Sequence, residues 1–161
     1  MAQTDYFLKL EGIEGESTDA KHKGEIDVLS WSWGETNTGG HTGGAGHGAG
    51  KVQMQDFNFA MRVSKASPKL LLACASGEHI KKAVLTCRRA GKEQQEYLIV
   101  TYTDCIVSSY QTGGSAGDVV PVDQISLNYS QINYEYKEQK QDGTLGGAVP
   151  AGWNLKENKA V

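Results

Sequence analysis

The sequence predicts a mainly β protein: a compact β-barrel or sandwich with one short α-helix packed on its side. Three observations carry this. Apolar and polar residues alternate at period two through most of the chain, which puts one face of each strand inward. Two of the alternating segments change phase part-way, as a strand does where it bends. Only one segment has helical start and stop signals. The 161 residues read as a single domain spanning 1–161, long enough to hide roughly 70% of the unfolded surface without staples. Apolar residues make up 39% and fall in patterned blocks, which argues against a disordered chain.

The first strand has Tyr6, Leu8 and Leu10 on one face. The second has Leu29, Trp31 and Trp33 on one face and Ser30 and Ser32 opposite. Val52 and Met54 open a third, whose phase then moves to Phe57, Phe59, Met61 and Val63 across Gln55-Asp56, the mark of a β-bulge. Ser67 reads as N-cap, Pro68 as first helical residue and Gly77 as the C′ position. Between them Leu70, Leu71, Cys74 and Ala75 form an apolar stripe. A helix of about nine residues depends on packing rather than on propensity. Ala83, Leu85 and Cys87 lead through a turn at Arg88–Lys92 into a strand from Glu96 to Tyr110. The last pattern, Ile125, Leu127, Tyr129 and then Ile132, Tyr134, Tyr136, slips phase again. Two slipped strands suggest a coiled or closed sheet, because curvature needs bends.

Two segments read as loops. Residues 36–50 hold seven of the chain's 20 glycines and nothing larger than His, so they add nothing to a packed core. Residues 140–152 are a second turn-rich stretch, with Trp153-Asn154-Leu155 beyond as a docking segment.

Charge and cysteine content exclude several classes. Sixteen basic against 19 acidic residues give a net charge of −3, without the basic stripe of a nucleic-acid binder. No apolar run approaches the ~20 residues of a membrane span, so no membrane insertion is expected. Met1–Asp5 has neither a basic n-region nor an apolar h-region, so no Sec signal is expected. Cys74, Cys87 and Cys105 lack C-x-x-C spacing and sit among apolar neighbours, which reads as reduced thiols in a cytosolically folded chain.

The catalytic and cofactor patterns fail on context. Gly44–Ala49 spells G-x-G-x-x-A, but a strand follows it where a dinucleotide site needs a helix. Gly50-Lys51 is followed by Val52, and position 45 is Ala, so the Walker pattern also fails. Gly113–Gly117 spells G-x-S-x-G, but strand-like Asp118–Pro121 follows and the last histidine is His79, so no base comes later. His41 and His47, with His22 and His79, are metal-ligand types, yet a glycine loop gives no rigid frame for them. The Asn128-Tyr129-Ser130 sequon lies mid-strand. No nucleophile, base and oxyanion set assembles, so neither an enzyme nor a bound cofactor or metal is expected. Ser30 and Ser32 are different: small hydroxyls opposite a Leu-Trp-Trp face make a low, polar surface, either an ordinary solvent face or the wall of a channel.

These residues resemble a known family. Ile26–Gly34 (IDVLSWSWG), a glycine loop ending Gly50-Lys51-Val52, Leu72–Gly77, Glu96–Ile99, Val107–Ser109, Thr112–Ser115 and Gly152–Asn154 are similar, in order, to the haemolysin-coregulated protein (Hcp) of bacterial type VI secretion. The resemblance implies a tail-tube-like β-barrel in homohexameric rings that stack into a tube. A contractile sheath surrounds that tube, a spike protein caps its tip, and effectors ride in its lumen. It also implies a protein made in the cytoplasm and expelled through the machine. On that reading Leu29, Trp31 and Trp33 face the core, and Ser30 and Ser32 face the lumen. The loop around Gly39, Gly40, His41, Gly43, Gly44, Gly46, His47 and Gly48 contacts the next ring, at an ordering cost that keeps stacking weak. The alternative is a carbohydrate-binding β-sandwich using Tyr134, Tyr136 and Trp153 as stacking platforms.

Overall fold

One strand organises the molecule. In this computed structural model, which describes residues 4–37, 51–89 and 94–161, β8 (Gln95–Gly113) runs for 19 residues. The strands before it are β1 (Thr4–Leu10), β2 (Ile26–Asp27), β3 (Ser30–Ser32), β4 (Glu35–Asn37), β5 (Val52–Met54), β6 (Phe57–Arg62) and β7 (His79–Arg89). After it come β9 (Val122–Asn128), β10 (Gln131–Gln139), β11 (Leu145–Asn154) and β12 (Lys159–Ala160), and α1 (Ala66–Ser76) lies between β6 and β7. The first half of β8 has β7 on one side and β10 on the other, and its second half pairs with β9. Between the halves Asp104 takes a positive φ of 55°, a left-handed residue that turns the strand. Its side chain fixes the corner, accepting hydrogen bonds from His79 Nδ1 at 2.7 Å, Lys156 Nζ at 2.9 Å and Ser130 Oγ at 3.0 Å.

The wall closes through residues 26–32. β2 pairs with β1 and β3 pairs with β6. Between them Val28 N–H donates to Tyr6 O at 3.0 Å and Leu29 N–H to Ala60 O at 2.8 Å. Backbone pairing thus runs β8–β7–β1–β2/β3–β6–β9 and back to β8, a small barrel whose interior is filled by side chains. Leu8, Phe57, Leu85, Val100, Tyr102 and Leu127 are fully buried within it. β10, β11 and β12 extend from β8 as a flange beyond the barrel.

The helix differs from the sequence reading at its start and in its buried face. Lys65 is the N-cap residue and makes no side-chain cap bond. Ser67 lies inside the first turn: its Oγ accepts Ser64 N–H at 3.0 Å and donates to buried Asp123 Oδ2 at 2.6 Å. Pro68 still fits, because first-turn N–H groups have no helical partner to lose. Gly77 ends the helix as expected, with φ 71° and its N–H on Ala73 O at 3.0 Å. The buried stripe is Ala66, Ser67, Leu70 and Ala73. Leu71 and Ala75 point outward, and Cys74 is half-buried, because the tertiary contact selects a narrow face from an apolar run.

Three other expectations change. The phase shifts at 55–56 and 129–130 are breaks between strands rather than bulges: β5 pairs with β4 and β6 with β3 and β9, while β9 and β10 follow successive stretches of β8. The register shifts lie elsewhere, at Cys87/Arg88, Val107/Ser109 and Lys137/Gln139. Residues 145–152 are strand, not loop, because β10 offers them a full antiparallel ladder. Pro150 is tolerated where the outer side of β11 has no strand partner among the described residues. Leu29 is 42% exposed rather than in the core, because it lies at the crossover from β1 to β6. Trp31 and Trp33 are partly buried against the core.

Candidate functional site

Ser30 and Ser32 belong to a four-stranded surface. Register places Ser30, Ala60, Gln124 and Gln111 in one cross-strand row, and Ser32, Asn58, Ser126 and Ser109 in the next. The opposite face of the same strands holds Phe57, Phe59, Met61, Ile125 and Leu127 in the core, so alternation forces these residues outward. Both serines are exposed, and the surface dips into a shallow depression of about 410 Å³. Within the two rows every side chain is a hydroxyl, a carboxamide or a methyl group. Charge enters only at the ends, with Arg62 on β6 beyond one row and Asp56 before the other. Each Asp56 carboxylate oxygen accepts from a neutral donor, Ser108 Oγ at 2.6 Å and Asn128 Nδ2 at 3.0 Å. Ser126 Oγ donates to Asn58 Oδ1 within the wall. Between those ends the two rows offer many weak hydrogen bonds and no fixed charge.

Of this wall, only Ser30 and Ser32 stood out in the sequence. The signal for the rest was present in the polar residues between apolar ones on β6 and β9. Only strand register brings those positions beside the serines. The residues Gly39, Gly40, His41, Gly43, Gly44, Gly46, His47 and Gly48 lie outside the described residues.

A second concavity of about 1140 Å³ lies on the other side of β3, between the β4–β5 hairpin and the flange. Trp31, Trp33, Met54, Tyr134 and Trp153 line it. On the flange Tyr134 and Tyr136 are 38% and 40% exposed, and Tyr136 pairs with exposed Val149. The core-facing side of the sheet therefore continues past the barrel as an apolar strip that is exposed among the described residues.

Among the described residues, both histidines are engaged structurally. His22 is held by Glu25 and Glu96 and His79 by Asp104, both through 2.7 Å contacts. Ser115 sits in a turn closed by Asp118 N–H to Ser115 O at 3.0 Å, with no helix after it. The elbow geometry is thus not built, and Asp118–Pro121 precede β9 instead of opening it. Burial pushes the Cys87 and Cys105 thiols up to about 12.

Residues 7–136 match a protein-family model described as "Type VI secretion system effector, Hcp". Protein hcp1 of Pseudomonas aeruginosa is 46% identical over 156 residues, covering 96% of each chain. The chain belongs to the Hcp family. Among solved structures, Hcp1 from Salmonella typhimurium covers 100% of both chains at 40% identity with TM-score 0.84. A structure titled as a type six secretion system protein covers 99% of this chain at 33% identity with TM-score 0.93. In this Hcp chain the WSWG block starts on β3, the strand that carries Ser30 and Ser32 into the wall, and runs two residues past its end.

Proposed function

We propose that this chain is a tube subunit of a type VI secretion machine and works by assembly rather than catalysis. Copies join into homohexameric rings, and rings stack into the inner tube with the Ser30 and Ser32 wall facing the lumen. The observation that carries this reading is the wall itself: two rows across four strands without a charged side chain. A neutral, low-relief surface lets folded cargo bind weakly and leave. The surfaces suited to ring closure are the apolar flange and the largely unpaired edge of β11, since an exposed edge is stable only when covered or paired.

Effector proteins are the lumen partners in this reading, the spike protein sits at the tip, and the sheath grips the outside. The protein is made in the cytoplasm and leaves through the machine; no described helix is long and apolar enough to cross a membrane. The segment Gly39 to Gly48 contacts the next ring, a role supported by its attachment to the β4–β5 hairpin at the cleft mouth. The exposed tyrosines are assigned to subunit contact rather than to sugar stacking, because they continue the core face of β8.

Native mass spectrometry and negative-stain imaging test the ring: about six subunits around a central hole are expected. A lone subunit at every concentration refutes it. Ser32→Glu then tests the wall, with rings retained and effector pull-down lost. Unchanged effector capture by that variant overturns the lumen assignment. Deleting 39–48 should leave rings and abolish tubes, and normal tube growth would reject the stacking role.

A further inference from the structure

A second packed layer lies outside the barrel wall. Residues 14–25 fold over the outer face of β1, β7 and β8, closed by Gly15 N–H to Gly24 O at 2.8 Å and Ser17 N–H to Glu25 O at 3.0 Å. Beneath and within this loop Phe7, Ser17, His22, Thr86 and Arg88 are buried. Lys65 holds the start of the loop through Glu14 at 3.5 Å and Glu16 at 3.2 Å, and two further charged contacts fix its later part to the wall. Arg88 donates from Nη1 to Asp19 Oδ1 at 3.0 Å and from Nη2 to Asp19 Oδ2 at 2.6 Å, and its guanidinium lies 4.7 Å from the Phe7 ring centre. Arginine keeps its charge throughout the working pH range, so this contact is permanent.

The other contact depends on a proton. His22 stacks on Phe7 with ring centres 4.4 Å apart and planes 7° apart. Its Nδ1 is 2.7 Å from Glu25 Oε2 and its Nε2 is 2.7 Å from Glu96 Oε1. Ionised carboxylates only accept hydrogen bonds, and a neutral imidazole has one N–H to give. Two contacts of this length therefore require two N–H groups. We propose that His22 is held as an imidazolium between Glu25 and Glu96, a proton-dependent staple that fastens the 14–25 loop to the barrel.

The charged groups around the staple favour the proton. Asp19 and Glu25 come from the loop, Asp5 from β1, Asp27 from β2 and Glu96 from β8; the cations are Arg88 on β7, Arg62 on β6, which acts on Asp27, and the exposed Lys21 and Lys23 beside His22. Losing the proton sets a nitrogen lone pair against a carboxylate oxygen and leaves Arg88 as the buried cation among those acids. The Asp19–Arg88 contact survives, so the His22 end of the loop lifts first. Closed loop binds the proton and open loop releases it, so the open fraction rises with pH.

Nitrogen-15 NMR of the wild-type side chain tests the charge directly: both ring nitrogens should be protonated near neutral pH. Amide exchange across 14–25, corrected for its intrinsic pH dependence, should accelerate on the alkaline side. Glu96→Gln is the control, because its carboxamide can donate to a bare Nε2 and so satisfies a neutral imidazole. That variant should keep the loop closed and flatten the pH dependence. A single protonated ring nitrogen in the wild type overturns the proposal, as do matching exchange profiles in wild type and Glu96→Gln.

Discussion

Truncating Leu70 to Ala measures what holds the helix. Leu70 is fully buried, and the other buried helix residues are Ala66, Ser67 and Ala73, so Leu70 is the one large apolar side chain that α1 sets into the core. Removing three carbons at ~0.8 kcal/mol each gives ~2.4 kcal/mol of lost transfer energy. The cavity raises the cost to about 3–4 kcal/mol. In a chain of this length each kcal/mol moves Tm by ~2–4 °C, so a fall of about 6–16 °C is expected. Leu71 and Leu72 are 55% and 61% exposed, and their truncation should cost less than about 0.5 kcal/mol. Thermal and urea unfolding of all three variants at one protein concentration provide the comparison, because association shifts the midpoint. A Leu71→Ala cost equal to that of Leu70→Ala would refute this packing.

Gly15→Ala should open the 14–25 loop, since a Cβ there meets Glu25 O at 2.4 Å and Ile26 Cα at 2.7 Å, backbone atoms that cannot step aside. Faster amide exchange confined to that loop is the expected result, and unchanged exchange contradicts the close approach. Hydrogen bonds from His79, Lys156 and Ser130 hold the Asp104 carboxyl well below the usual range. Its contribution is therefore present above the unfolded carboxyl value of ~4 and is lost as pH falls below it. Asp104→Asn, which tolerates the left-handed backbone, should flatten the acid limb of the stability curve; parallel limbs would count against this account. Of the three thiols only half-buried Cys74 should react with a thiol reagent at mildly alkaline pH. Cys87 and Cys105 are buried with their thiols raised to about 12, so modification of either without unfolding argues against that burial.

Local chemistry sufficed for the class of fold. Alternation at period two marked β1, β6, β9 and β10, and Pro68 with Gly77 bracketed the helix, because both signals depend on neighbours within a few residues. Ser30 and Ser32 were legible for the same reason, as hydroxyls opposite two tryptophans. The WSWG block and glycine loop pointed to the family without any contact being known. Partnership was not legible. Residues 145–152 looked turn-rich until β10 gave them a ladder, and Leu29 looked buried until the wall closed at its crossover. The rows joining Ser32 to Asn58, Ser126 and Ser109, and the reach of His22 to Glu96 across 74 positions, also waited on the fold. Periodicity states which way a side chain points along its own strand. Which strand lies alongside, and at what register, is set by the joint packing of distant segments, and that is where both the neutral wall and the buried histidine arise.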